Sequence, residues 1–182
     1  MNQEIEVKAR LENPDAVRQA LLARSCTFSE PITQHDTVFI GNGVSYEAAK
    51  PGDIFLRVRE TPKGSTFTMK QTIKNELDCA EAETEIADPE AMKQALKIMG
   101  YEYVVTVQKT RQTCACDGYT ICLDTVSELG DFIEVEKLVD GEADGDVVQA
   151  ELVAFLETLG VPASARVVHG YDTLVYRLTH PA

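Results

Sequence analysis

The chain has 182 residues, with 17 Lys+Arg against 30 Asp+Glu and a formal charge of −13. That length suits one domain, residues 1–182, burying roughly 70% of its unfolded surface without covalent staples. The acidic balance argues against a nucleic-acid partner or an anionic membrane, because both need net basic surface.

No apolar run approaches the roughly 20 residues of a membrane span. The start, Met1 to Lys8, lacks the basic and apolar regions of a signal peptide. The five cysteines, Cys26, Cys79, Cys114, Cys116 and Cys122, are odd in number. Without a secretion signal they are expected to be reduced thiols of a cytoplasmic protein. Cys114-x-Cys116 lacks a second Cys or His pair at zinc-finger spacing and is read as two small residues on a strand.

Residues 3–10 alternate, with Ile5, Val7 and Ala9 on one face and Glu4, Glu6, Lys8 and Arg10 on the other, as in a strand with one face on an apolar layer. Asn13-Pro14 is a helix start, with Val17 and Leu21 on the buried side. A second strand spans His35 to Ile40, and 41–52 is an irregular loop between Gly/Pro turn signals. Residues 53–60 alternate again, with Phe55, Arg57 and Arg59 sharing a face. A Thr-rich strand over 66–73 puts Thr66, Thr68 and Lys70 together.

Glu81, Glu83 and Glu85 share one face of the strand at 81–87. Asp88-Pro89 then caps a helix that Gly100 ends. Tyr103 to Arg111 is a strand with Lys109 and Arg111 on one side. Asp117-Gly118 is a two-residue hairpin, and the strand after it puts Thr120, Cys122 and Asp124 on one face. Phe132, Glu134, Glu136 and Leu138 share a face of the next. A helix over 146–159 turns Val147, Leu152, Phe155, Leu156 and Leu159 to the core, and 171–178 is a short helical candidate.

Asn13 to Leu21 parallels Asp88 to Leu96 residue type by residue type, Leu22 and Lys97 differing at the next position, and each segment follows a Glu-x-Glu strand. This suggests an internal repeat of about 3–60 and 81–138. Strands outnumber helices and join by short turns, which predicts an α+β fold with a large curved antiparallel sheet or barrel and a few helices outside.

Strand after strand carries charges two apart: Glu4/Glu6, Arg57/Arg59, Glu83/Glu85, Lys109/Arg111 and Glu134/Glu136, with Lys8, Lys70 and Asp124 beside them. Any one pair reads most simply as a solvated sheet face. Five in one chain suggest that a closed sheet turns them inward, making a tunnel with acidic and basic walls. Hard carboxylate oxygens suit Mg²⁺ or Mn²⁺, whereas arginine forks and lysines suit phosphate oxygens. A metal–polyphosphate would satisfy both walls.

In this order the motifs resemble those of the CYTH superfamily, the triphosphate tunnel metalloenzymes. Glu4-Ile-Glu6-Val-Lys8 is similar to its Glu-x-Glu-x-Lys signature, and His35-Asp-Thr-Val-Phe39 to its second strand. Arg57-Val-Arg59, Thr68-Met-Lys70, Glu83-Thr-Glu85, Lys109-Thr-Arg111, Asp124 with Glu134-Val-Glu136, and His169 to Leu174 follow. The wording is closest to the class IV adenylyl cyclase branch, with Gly170 where that branch usually has Ser.

The resemblance implies an antiparallel eight-stranded β-barrel or tunnel with a charged interior and a few helices packed outside, and a metal wall of Glu4, Glu6, Asp124, Glu134 and Glu136. It implies a triphosphate grip of Lys8, Arg57, Arg59, Lys70, Lys109 and Arg111, with Glu83 and Glu85 holding a second metal or pairing with cations. Lys109, Arg111 and Glu134 are the catalytic candidates. The implied reaction is ATP conversion to 3′,5′-cyclic AMP and pyrophosphate, a lyase reaction of cAMP biosynthesis in which the ribose 3′-hydroxyl attacks the α-phosphorus.

Triphosphatase action on tripolyphosphate, thiamine triphosphate or a nucleotide would use the same ion-binding residues. A non-catalytic polyphosphate-binding module and an acidic interaction protein are the rivals from other classes. A homodimer is left open. Tyr46, Phe39 and His35 are read as packing or loop residues, and His169 and His180 as surface residues.

Overall fold

The computed structural model describes residues 2–41, 43–44, 50–139 and 143–181. Strands β1 (Asn2–Arg10), β2 (Ile32–Gly41), β3 (Ile54–Thr61), β4 (Gly64–Thr72), β5 (Asp78–Ile86), β6 (Tyr101–Cys116), β7 (Tyr119–Val126) and β8 (Gly130–Val139) form one antiparallel sheet. Their order is β5-β4-β3-β2-β6-β7-β8-β1, and β1 pairs back with β5 to close an eight-stranded barrel. The first half of β1 makes that closure, Asn2 opposite Glu81 through Ile5 opposite Asp78. Further along, Lys8 and Ala9 pair with a ninth strand outside the barrel, β9 (Arg166–Val167).

Four helices accompany the barrel: α1 (Pro14–Ala23), α2 (Pro89–Ile98), α3 (Gly145–Thr158) and α4 (Tyr171–Thr179). The first two begin as their sequences dictate. Asn13 Oδ1 accepts from Ala16 N at 3.1 Å and Asp88 Oδ1 from Ala91 N at 2.9 Å, each followed by Pro at the first helical position. Gly100 and Gly160, both at positive φ, stop α2 and α3. Asp117 and Gly118, also at positive φ, make the tight β6–β7 hairpin.

Alternation along the strands sorts the side chains. Ile5, Val7 and Ala9 of β1 face outward and join Ile121, Ile133 and Val135 beneath α1 and α3. Phe39, Leu56 and Val58 face outward under Leu96 of α2. The barrel interior is apolar at one end, where Val38, Val105, Val107, Val126 and Phe132 receive Tyr171 and Val175 of α4. So α4 closes a barrel end instead of lying on the outer wall.

Several boundaries shift from the expected ones. β2 starts three residues earlier, at Ile32, β5 starts at Asp78, and β6 runs unbroken to Cys116. β9 and the 3₁₀ turn Ala163–Ala165 were not expected; neither carries a period long enough to read. In α3 it is Val148, at 8% exposure, that faces the core, while Val147 is 65% exposed. Each half of the chain runs strand, helix, then three strands, β1-α1-β2-β3-β4 followed by β5-α2-β6-β7-β8.

Candidate active site in the barrel

The remaining interior residues line a cavity of about 270 Å³. Pairing order and register place their charges in two arcs. One runs across β8, β1 and β5 with Glu134, Glu136, Glu4, Glu6, Glu81 and Glu83, and Asp124 of β7 extends it behind the lining; the other runs across β4, β3 and β6 with Lys70, Arg57, Arg59, Lys109 and Arg111. Two residues cross the division. Lys8 stands in the acidic arc opposite Glu134, and Asp36 of β2 stands in the basic arc opposite Arg59.

The arcs lean on each other. Arg111 grips Asp124 with a two-pronged contact, Nε to Oδ1 at 2.8 Å and Nη2 to Oδ2 at 2.6 Å; it also contacts Glu134, and Glu136 at 3.4 Å. Lys8 Nζ lies 2.9 Å from Glu134 and 3.4 Å from Glu6. Lys70 Nζ meets Glu4 at 2.9 Å and Glu81 at 2.8 Å. Arg57 contacts Glu83 at 3.3 Å and Glu81 at 3.6 Å, and Thr68 Oγ1 donates to Glu83 at 2.7 Å. Arg59 presents its fork to Asp36 with both contacts at 2.7 Å. Lys109 is more loosely held, with Asp124 at 3.6 Å.

The electrostatics follow from burial and from these partners. Burial would raise Glu134, but Lys8 and Arg111 outweigh it and hold the carboxyl well below its ordinary range. Burial and the neighbouring Glu134 push Glu6 up to about 8. Burial also raises Glu136, with Glu134 and Glu4 adding to the effect. Lys109 is lowered by burial and by Arg111 beside it. The acidic arc is thus crowded enough that its carboxylates resist sharing their negative charge, which is the environment a divalent cation relieves.

A metal therefore fits this donor set. Ligand atoms of Cys122, Glu134 and Glu136 lie within 4.8 Å of one another, and Glu6 is the cross-strand partner of Glu136. Asp124 is buried behind Arg111, held by the guanidinium, and does not line the cavity.

The closed end is built by α4 and the β4–β5 loop. Gly170 caps α4 without a side chain, and Glu76 from the loop takes over. Its carboxylate accepts from Gly170 N at 2.8 Å and Thr173 Oγ1 at 2.8 Å, and lies 3.0 Å from His169 Nδ1. This latch seats the Tyr171 ring under two ammonium groups, Lys8 at 4.1 Å and Lys109 at 4.8 Å from its centroid.

Of the residues singled out from sequence, Glu4, Glu6, Lys8, Arg57, Arg59, Lys70, Glu83, Lys109, Arg111, Glu134 and Glu136 all line the cavity. Glu85 does not; it is exposed beyond the lining, and Glu81 occupies the inner position. Sequence reasoning gave no site role to Asp36, Glu76, Glu81 or Tyr171. Glu81 shares the face of Glu83, and Asp36 alternates with inward Val38, so both carried a signal. Glu76 carried none, because a loop has no face. Phe39 packs under α2 and His35 is exposed, as expected; His169, expected at the surface without a partner, meets Glu76. Tyr46 lies outside the described residues.

Known proteins share this architecture. A protein of Methanocaldococcus jannaschii, provisionally named an adenylate cyclase, is 26% identical over 160 residues, covering 87% of this chain and 90% of its own. A structure from Pyrococcus horikoshii superposes with a TM-score of 0.79 at 24% identity, covering 96% of this chain and 99% of its own. One from Hippeastrum, a provisional adenylyl cyclase described as having a dominant triphosphatase activity, superposes with a TM-score of 0.60 at 18% identity, covering 98% and 96%. The CYTH domain family model matches residues 2–171, from the first described strand to the tyrosine that closes the barrel end. Charged strands, closed barrel and sequence match agree: the chain belongs to the CYTH domain family.

Proposed function

We propose that the protein is a Mg²⁺- or Mn²⁺-dependent enzyme acting on a triphosphate in the barrel, most simply an adenylyl cyclase that converts ATP to cyclic AMP and pyrophosphate. The observation that carries this is the facing of one continuous acidic arc and one basic arc across a single cavity. Glu4, Glu6, Glu134 and Glu136 would hold the divalent ion. Bound there, it would offset phosphate charge and lower the pKa of an attacking hydroxyl.

The protein's own residues position the substrate. Lys109 is loosely paired and lowered by burial and Arg111, so it gains most from a phosphate oxygen. Arg111 keeps its Asp124 contact as a fixed anchor while its remaining edge turns to the ligand. Arg59, held at both prongs by Asp36, keeps one orientation. Arg57 and Lys70 must trade carboxylate contacts for phosphate, which makes binding an exchange of partners. Catalysis is then positioning plus charge stabilisation, as in other phosphoryl transfers.

A second reading, triphosphate hydrolysis, is favoured by the lining itself: among the described residues it is rich in groups that grip phosphate and poor in groups that would read a base. Incubation with Mg²⁺ or Mn²⁺ and, separately, ATP, tripolyphosphate and thiamine triphosphate decides between them. Cyclic AMP with pyrophosphate supports the cyclase, and orthophosphate without cyclic nucleotide replaces it with hydrolysis. Tight binding of a triphosphate with no turnover leaves a binding module. Unchanged turnover in Glu136→Ala would remove that residue from the metal wall.

A further inference from the structure

The acidic arc contains two thiols that hard-metal chemistry does not call for, Cys79 of β5 opposite Glu4 and Cys122 of β7, and of these Cys122 has two carboxylates at metal-ligand spacing. Cys122 faces the interior of β7 at 1% exposure, and its thiol donates to Glu136 Oε1 at 3.4 Å. The barrel register accounts for this. Cys122 pairs with Glu134 and the neighbouring inward position, Thr120, pairs with Glu136, so the sulfur sits between the two carboxylates. Cys26, Cys114 and Cys116 differ, since they lie in the apolar layer outside the barrel.

A tetrahedral centre with bonds of about 2.3 Å to sulfur and about 2.1 Å to oxygen separates those two donors by roughly 3.6 Å. The 3.4 Å between Cys122 Sγ and Glu136 Oε1 is close to that, and the three ligand atoms already lie within 4.8 Å of one another. The positive charges now facing the two carboxylates are the Arg111 guanidinium, which has its own firm seat on Asp124, and Lys8, 2.9 Å from Glu134 and with Glu6 as a second partner at 3.4 Å. An entering cation can take over Glu134 and Glu136 without leaving Arg111 unpaired.

We propose that Cys122, Glu134 and Glu136 form a site for a thiophilic divalent ion of the Zn²⁺ or Cd²⁺ class, bound through one thiolate sulfur and two carboxylate oxygens. It rests on the reading of Glu134 and Glu136 as the metal wall, and it adds to that wall a soft donor and a different preference among ions. Soft thiolate selects such ions where carboxylate and water suit Mg²⁺ and Mn²⁺. Binding breaks the S–H bond and forms a sulfur–metal bond. The proton passes to solvent and no oxidation state changes. Affinity should therefore rise with pH. A thiophilic ion seated here competes with Mg²⁺ or Mn²⁺ for Glu134 and Glu136.

The test is Cd²⁺ titration of the reduced, chelator-stripped protein, followed by the ultraviolet sulfur-to-metal charge-transfer band. Wild type should show a band saturating at one equivalent that Mg²⁺ alone does not produce. Cys122→Ser should lose the band, and Glu136→Gln should weaken the dissociation constant by about tenfold or more. No band in wild type, or a full band in Cys122→Ser carried by the other four thiols, overturns the proposal. Should Cys122→Ser fail to fold, cadmium NMR of wild type decides. A shift in the range of one sulfur with oxygen ligands supports the site, and an all-oxygen or multi-sulfur shift refutes it. No turnover is needed. A Cd²⁺ band without Mg²⁺-dependent activity defeats only the proposed function, and activity without the band defeats only this site.

Discussion

Glu6→Gln isolates the electrostatic strain of the acidic arc. The wild-type carboxyl has an ordinary value near 4.5 and is pushed up to about 8 in the fold by burial and by Glu134. The folded chain therefore holds a proton that the unfolded chain has released. Stability is full below pH 4.5, falls as pH rises through the window from 4.5 to about 8, and is flat above it. Full realisation of that shift would cost about 5 kcal/mol. Water entering the cavity mouth screens the charge, so the expected cost is about 2 kcal/mol. Gln keeps the shape of the side chain and can still accept from Lys8, now 3.4 Å from Glu6, without the titrating charge. In urea unfolding without metal, Glu6→Gln should exceed wild type by about 2 kcal/mol at pH 9, or about 4–8 °C in Tm, and by less than about 0.5 kcal/mol at pH 5. The same variant should bind Mn²⁺ more weakly, the usual exchange of function for stability. A stability difference that does not change with pH, or a variant less stable than wild type at pH 9, would refute the reasoning.

Asp36 has the opposite sign. Burial opposes but Arg59 holds it far below the ordinary carboxylate range, so its contribution is present above about pH 4 and lost as acid protonates it. Asp36→Asn should cost about 2 kcal/mol at pH 7 and lose most of that penalty by pH 2, read from urea midpoints. Two glycine substitutions should differ sharply. A Cβ at Gly145 would overlap Asp78 Oδ2 and lie 2.8 Å from Cγ of that fully buried side chain, whereas one at Gly170 would overlap only Oδ1 of half-buried Asp172. Gly145→Ala should destabilise by about 2 kcal/mol or more, and Gly170→Ser by under about 1 kcal/mol, because its hydroxyl can cap α4. Glu76→Ala should speed hydrogen exchange of the first-turn amides of α4 by about tenfold, while those of α3 stay unchanged.

Strict alternation makes the inward charges legible in the sequence, since a period of two leaves no choice of face once one face is apolar. Ile5, Val7 and Ala9 thereby assigned Glu4, Glu6 and Lys8. Alternation does not tell how far along the barrel a residue lies. Register does, and it sets Glu81 beside Lys70 while Glu85 pairs with Thr66 nearer the rim. That is why Glu83 and Glu85 read as the inner pair when Glu81 and Glu83 are. The α3 phase was misread at Val147 because two adjacent valines fit the same stripe and only packing chooses between them. The role of α4 was hidden for a different reason: its apolar face reads the same whether it covers an outer wall or fills a barrel end. Glu76 reaches it across 94 residues of sequence through a contact that local pattern does not encode.

Closure of the barrel through β1 also sets an order of events during synthesis. The first strand pairs with β5 and, from Gln3 to Arg10, with β8, whose residues start at Gly130. At a translation rate of about 5–20 residues per second, β1 waits on the order of ten seconds for β8 to leave the ribosome. During that interval its outward stripe of Ile5 and Val7 and its β8-facing edge are uncovered. The alternating charges of Glu4, Glu6 and Lys8 then act as gatekeepers against pairing with a neighbouring chain. The residues assigned to metal and phosphate in the finished barrel thus protect the nascent chain before any cavity exists.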